Sequence, residues 1–177
     1  MSTASAAVQT VDPESRAPRR VRHEPRRRKL EVRQVDRIAA HMIRVTLGGD
    51  LDGFTSLGFD DHVKLFFPNG KTGDDGQPQA DSRDYTPRRY DAAARTLDIE
   101  FVIHDAGPAT RWAEQAKPGT PLEIGGPRGS FIIPDNFDWH LLIGDDTALP
   151  AIARRLAELP AGTRAVVLAE VDGPDDE

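Results

Sequence analysis

Cysteine is absent from all 177 residues, and its absence removes whole classes of chemistry. Disulfides, thiolate catalysis, zinc fingers and iron–sulfur ligation are excluded together. The five histidines (His23, His41, His62, His104 and His140) show no metal-ligand spacing, so no metal residue and no protein catalytic dyad is assigned. Any redox chemistry therefore needs an imported organic cofactor. Long hydrophobic runs are missing too. No stretch approaches the ~18 apolar residues that span a bilayer, and the longest apolar windows, Leu141–Ile143 and Ala165–Ala169, read as core strands. Arg19-Arg20 is followed by no apolar segment, so it is no twin-arginine signal. The expectation is a cytoplasmic protein with no membrane insertion.

Charge is unevenly placed. The net charge is −6, yet residues 1–29 carry eight Lys/Arg against three Asp/Glu, and the remainder carries 15 against 26. A basic arm on an acidic body suits a nucleic acid or an anionic surface. The arm has no interleaved aromatics and no amphipathic spacing, so it reads as a disordered, solvated segment with no nucleic-acid partner.

From Leu30 the pattern becomes that of strands. Residues 30–38, 41–47, 62–67, 84–90, 96–104 and 121–124 show alternation or β-branched enrichment. Leu97, Ile99, Phe101 and Ile103 share one face of the fifth segment. Lys71–Ser82 is polar and reads as a flexible surface loop, and Pro108–Ala116 as a short helix. Six antiparallel strands with one helix predict a closed Greek-key barrel over residues 30–134, because closure removes exposed edges. After Pro134 the pattern changes to an apolar strand at 139–143, a helix at 147–159 and a second apolar strand at 164–171. This is one βαβ unit over residues 135–177, an incomplete α/β domain.

Two segments stand out. Arg83-Asp84-Tyr85-Thr86-Pro87-Arg88-Arg89-Tyr90 offers a flat phenol beside guanidinium charges. Gly107-Pro108-Ala109-Thr110-Arg111-Trp112 is a glycine–proline turn opening a helix, whose free N–H groups make an anion site. An aromatic platform, fixed cations and a helix N-terminus together suit a cofactor that is flat at one end and carries a diphosphate. That describes a flavin dinucleotide.

The order of these motifs, with Asp98–His104, Gly126–Phe131 and Trp139–Ile152, resembles the siderophore-interacting proteins, FAD-dependent ferric-siderophore reductases of the ferredoxin-reductase-like superfamily. The resemblance covers residues 28–177. It implies an FAD-binding barrel and a following NAD(P)H-binding domain, with electrons passing from NADPH or NADH through FAD to a ferric siderophore. It also implies an α/β domain extending beyond one βαβ unit. The nicotinamide site is thus expected to be incomplete, and the unit to need a protein partner or a C-terminal half over it. The alternative is a non-catalytic FAD-binding module, or half of a split reductase.

The resemblance further implies residue roles. Tyr85 stacks on the isoalloxazine and Thr86 bonds near its N5. Arg83 and Arg88 neutralise the diphosphate; with Arg89 and Arg95 nearby, the rival reading is an ordinary solvated charge cluster, and Arg89 is left out of the site. His104 meets the ribityl chain or a phosphate. Gly107, Pro108, Ala109 and Thr110 present the helix N-terminus. Trp112 is placed equally well on the cofactor or plugging the barrel end. Asp145 and Thr147 lie near the nicotinamide ribose, where Asp145 and Asp146 argue against a phosphate cradle.

Overall fold

The computed structural model describes residues 15–104, 107–171 and 173. The first fourteen residues of the basic arm, Asp105 and Ala106 of the anion turn, and the tail from Pro174 lie outside them.

The central sheet has seven antiparallel strands: β2 (Arg27–Ala39), β3 (Met42–Gly49), β4 (Val63–Thr72), β5 (Pro78–Tyr85), β6 (Arg89–Asp91), β7 (Thr96–Val102) and β8 (Pro121–Gly125). A strand β1 (Arg19–Arg22) precedes them. The spatial order is β5-β4-β8-β2-β3-β7-β6. The two outermost strands are joined by only Thr86-Pro87-Arg88, and three residues span little distance, so the sheet must curl into a barrel. Alternation explains the interior. Val32, Val45, Leu47, Val63, Leu65, Leu97, Ile99, Phe101 and Ile124 all point inward and are essentially inaccessible. The helix α1 (Pro108–Gln115) packs Ala109 and Ala113 against this core.

Three expectations are corrected. The single strand predicted at 84–90 is two strands, broken at Pro87, which has no N–H to donate to a ladder. The predicted surface loop 71–82 is mostly hairpin. β4 runs to Thr72 and β5 starts at Pro78, with Asp81 paired opposite Phe67. Cross-strand backbone bonds there outweigh polar composition. Nor is the arm irregular throughout. β1 pairs with β9 (Gly129–Ile132), a strand not expected, and residues 27–29 already belong to β2. Arg20 lies over the Phe131 ring, and the His23 imidazole meets Ser130 Oγ at 2.7 Å. The buried Asp61 carboxylate completes that junction, accepting from Ser130 Oγ, Ser56 Oγ and the Gly58 N–H.

The last segment is parallel. β10 (His140–Asp145) pairs in register with β11 (Ala165–Glu170), and α2 (Leu149–Glu158) connects them after a 3₁₀ turn at Asp146–Ala148. Arginines tie α2 to the barrel. The Arg154 guanidinium donates to Ser56 Oγ at 2.8 Å, Pro87 O at 2.9 Å and Ser56 O at 3.0 Å. Arg155 donates to Pro134 O at 2.6 Å and stacks over Phe59. Burial pulls the Arg155 pKa down from its ordinary value.

Candidate functional site

A cavity of about 480 Å³ opens between the outer face of the barrel and the start of α2. Its walls come from segments far apart in sequence. The end of β5 and the turn after it supply Arg83, Asp84, Tyr85 and Thr86. β7 and its exit supply Glu100, Val102 and His104, and the loop before β4 supplies Asp60 and His62. The first turn of α1 gives Gly107, Pro108, Ala109 and Thr110, while Thr147 and Pro150 close the far side.

Each group has a local cause for its position. Tyr85 is the last residue of β5, half-buried, with its ring 4.6 Å from Phe101. Burial pushes its phenol up to about 12, while the nearby Arg83 charge pulls the other way. Arg83 is exposed and, among the described residues, bonds its neighbour's carbonyl, Ser82 O, at 2.8 Å, which leaves its charge at the rim. The N-cap of α1, Gly107, makes no side-chain capping bond, and no acidic residue occupies the first turn. Among the described residues no side-chain cap answers those N–H groups, and the helix dipole stands behind them. Gly144 explains the far wall. A Cβ there would overlap the Ala148 side chain, so only glycine lets the 3₁₀ turn fold back on the end of β10 and bring Thr147 over the cavity.

Of the twelve residues expected at the site, the cavity gathers nine: Arg83, Tyr85, Thr86, His104, Gly107, Pro108, Ala109, Thr110 and Thr147. Three lie elsewhere. Arg88 does not line the cavity, because its guanidinium is drawn to Glu100 at 3.6 Å and its backbone N–H bonds Asp98 O. Trp112 packs inward on Phe101 and Phe67, 5.6 and 5.8 Å away, and borders a separate cleft on the other side of α1. Asp145 is turned from the cavity toward the exposed face of β10–β11, and a hydrogen bond from the Thr147 hydroxyl holds its carboxyl below the usual range. Six lining residues were not expected: Asp60, His62, Asp84, Glu100, Val102 and Pro150. Glu100 and Val102 share the strand parity of His104, so alternation along β7 was a usable signal for them. Asp60 and His62 sit in a loop whose approach to Tyr85 is purely tertiary.

Titration offers a check on the site. Tyr85 is expected to ionise late, near pH 12, in an absorbance titration of phenolate. A pKa raised in the folded state gives stability that is complete below the unfolded value of about 10 and is lost as pH rises toward 12. Tyr85→Phe should remove both the late titration and that alkaline loss of stability.

A flavin-type antiparallel barrel followed by a parallel strand–helix–strand unit is the architecture of the ferredoxin-reductase-like proteins. The ferredoxin reductase of carbazole 1,9a-dioxygenase matches it with a TM-score of 0.68 at 18% identity, covering 86% of this chain and 45% of that one, a likeness of fold alone. The chain belongs to the siderophore-interacting FAD-binding family. The siderophore-interacting FAD-binding domain matches residues 31–131, and the siderophore-interacting protein family matches residues 137–177. A siderophore utilization protein from T. fusca has a TM-score of 0.83 at 42% identity over 91% of this chain and 67% of that one. The NADPH-dependent ferric-chelate reductase of Escherichia coli K12 is 46% identical over 81% of this chain and 61% of its own length. This chain thus spans about three fifths of that curated relative.

Among the described residues, no helix is long and apolar enough to cross a membrane.

Proposed function

We propose that this chain carries the flavin of a ferric-siderophore reductase, with FAD held in the cavity between barrel and α2. In this reading residues 30–134 form the FAD-binding domain and residues 135–177 begin the nicotinamide-binding one. NADPH or NADH would be the donor, NADPH being the one in the name of the Escherichia coli relative, and a ferric siderophore the acceptor. The observation that carries the reading is that one cavity brings together Tyr85, Thr86, Arg83, His104 and the uncapped first turn of α1.

The donor set fits the cofactor. A half-buried phenol backed by Phe101 offers a stiff face for a flat ring. Beside it, the Thr86 hydroxyl would supply a short hydrogen-bonding group to the bound ring. Arg83, His104 and the α1 N–H groups, all in the cavity lining, would supply donors to a diphosphate. Thr147 and Pro150 line the far side of the cavity. FAD, when bound, supplies the conversion of a two-electron donor into single electrons. Hard oxygen ligands grip Fe(III), and reduction to Fe(II) loosens them, so iron leaves without a protein acid or base.

The deciding measurement is the visible spectrum of the purified protein with FAD, before and after anaerobic NADPH or NADH. Flavin bands that bleach with a nucleotide support the whole reading, and failure to take up FAD overturns it. Bands that bleach only with dithionite select a second reading, a flavin module whose donor site needs more polypeptide. The observation favouring that alternative is the bare β10–β11 sheet, where Leu141, Ile143, Val166, Val167 and Leu168 are 39–66% exposed. Further polypeptide, in the same chain or a partner, would cover it.

A further inference from the structure

A buried carboxylate in the cavity wall is left unused by the reading above. Glu100 lies on the outer face of β7, where alternation would put it in water, yet it is only 4% exposed. Thr147 and Pro150 line the same cavity opposite it. Its cross-strand partner on β3 is Arg44, whose Nε and Nη2 donate to Glu100 Oε1 at 2.9 and 2.6 Å. Arg88 Nε stands 3.6 Å from the same oxygen and is buried without a hydrogen bond. Both Arg44 hydrogen bonds and the 3.6 Å Arg88 contact thus fall on Oε1. An ion pair that served only to close a surface would saturate its members. This one leaves an arginine nitrogen unsatisfied and turns its carboxylate toward a ligand cavity.

We propose that Glu100, with Arg44 and Arg88, sets the reduction potential of the flavin held in this cavity, a role that rests on the FAD-binding reading. Two electrons and one proton convert oxidised flavin at neutral pH into a form whose ring bears one more negative charge. A charge in a wall shielded from water acts on that difference strongly, because little solvent screens it. Glu100 opposes the added charge and the two arginines favour it, so the cluster is a counterbalanced pair of signs. Neutralising one member must move the potential in the direction of the charge that remains.

Glu100→Gln keeps the side-chain volume and leaves Arg44 and Arg88 uncompensated. The potential should rise, and the ratio of affinities for reduced over oxidised FAD should increase about tenfold. Arg44→Leu removes a cation from a side chain 36% exposed, and the potential should fall. Both are read by equilibrating FAD-loaded protein with a reference dye of known potential, a measurement that needs neither NADPH nor a siderophore. Shifts of opposite sign support the proposal. Unmoved potentials overturn it, and so does a shift of the same sign in both variants, which would report only altered solvent access. If Glu100→Gln does not fold, Arg44→Leu decides alone: a fall supports the assignment, and an unchanged or raised value overturns it. Wild-type protein that takes up no FAD defeats the proposed function itself. Wild-type protein that binds FAD, with variants whose potentials stay put, defeats this inference alone.

Discussion

Phe101→Ala should cost about 3–5 kcal/mol of stability, the usual range for deleting a buried aromatic ring. Phe101 has no exposed surface, and it sits between Tyr85 and Trp112 at 4.6 and 5.6 Å. Removing it opens a void directly behind the Tyr85 ring. Neighbours in a closed barrel relax only partly into such a space, because their backbone is held by ladders on both sides. The second consequence is functional. A Tyr85 ring free to sink inward no longer offers a fixed face at the cavity, so FAD affinity should fall at least about tenfold, as expected when preorganisation is lost. Urea unfolding measures the first effect and flavin fluorescence quenching the second. Phe101→Leu, which refills most of the volume, should recover most of the stability. It should recover less of the affinity, since a leucine makes no ring contact. A variant that binds FAD as tightly as wild type would show that Tyr85 needs no support from the core.

Arg154→Ala should weaken the attachment of α2 by about 3 kcal/mol, since hydrogen bonds from a charged donor are worth about 1.5–3 kcal/mol each and do not add fully. Arg154 is 6% exposed, and its guanidinium reaches Ser56 and the Pro87 carbonyl across the junction between barrel and α2. Truncation leaves the Pro87 and Ser56 carbonyls buried without those donors. Glu158, the remaining partner at 2.7 Å, sits one turn along the same helix and is 42% exposed, so it loses little. The two tryptophans report on different parts. Trp112 lies against the barrel core, whereas Trp139 precedes β10 and is 51% exposed. Single-tryptophan variants should therefore show the Trp139 transition moving to lower urea while the Trp112 transition stays close to wild type. Coincident transitions shifted together would show instead that α2 and the barrel unfold as one unit. Because Thr147 and Pro150 form the far wall, the same substitution should also loosen whatever occupies the cavity.

The site divides into what local pattern reveals and what it hides. Tyr85-Thr86 and Gly107–Thr110 could be singled out in advance, and they do share one cavity, because each stands out in a short segment: an aromatic ring at a strand end, and a helix N-terminus opened by Gly-Pro. Arg88 and Trp112, expected at the cofactor, lie away from the cavity for one shared reason. A sequence shows that a guanidinium or an indole is near a motif, but not which way the backbone turns it. The break at Pro87 sends Arg88 toward Glu100, and the orientation of α1 sends Trp112 into the barrel. The hairpin at 71–82 escaped notice because its strands are held by backbone pairing, which composition does not report.

By itself, the sequence determined that this is a cysteine-free protein, built as an antiparallel barrel and then a parallel βαβ unit. Those conclusions follow from residue chemistry and from periods of two and 3.6, which are local properties of the chain. The tertiary structure alone decided which distant segments share a cavity, and it alone brought Asp60, His62 and Pro150 to the side of Tyr85. It also decided that β1 is a strand and that Arg154 and Arg155 tie α2 to the barrel. Such contacts depend on how a curled sheet brings remote positions within hydrogen-bonding range. That geometry is set by packing of the whole barrel, and no window of neighbouring residues contains it.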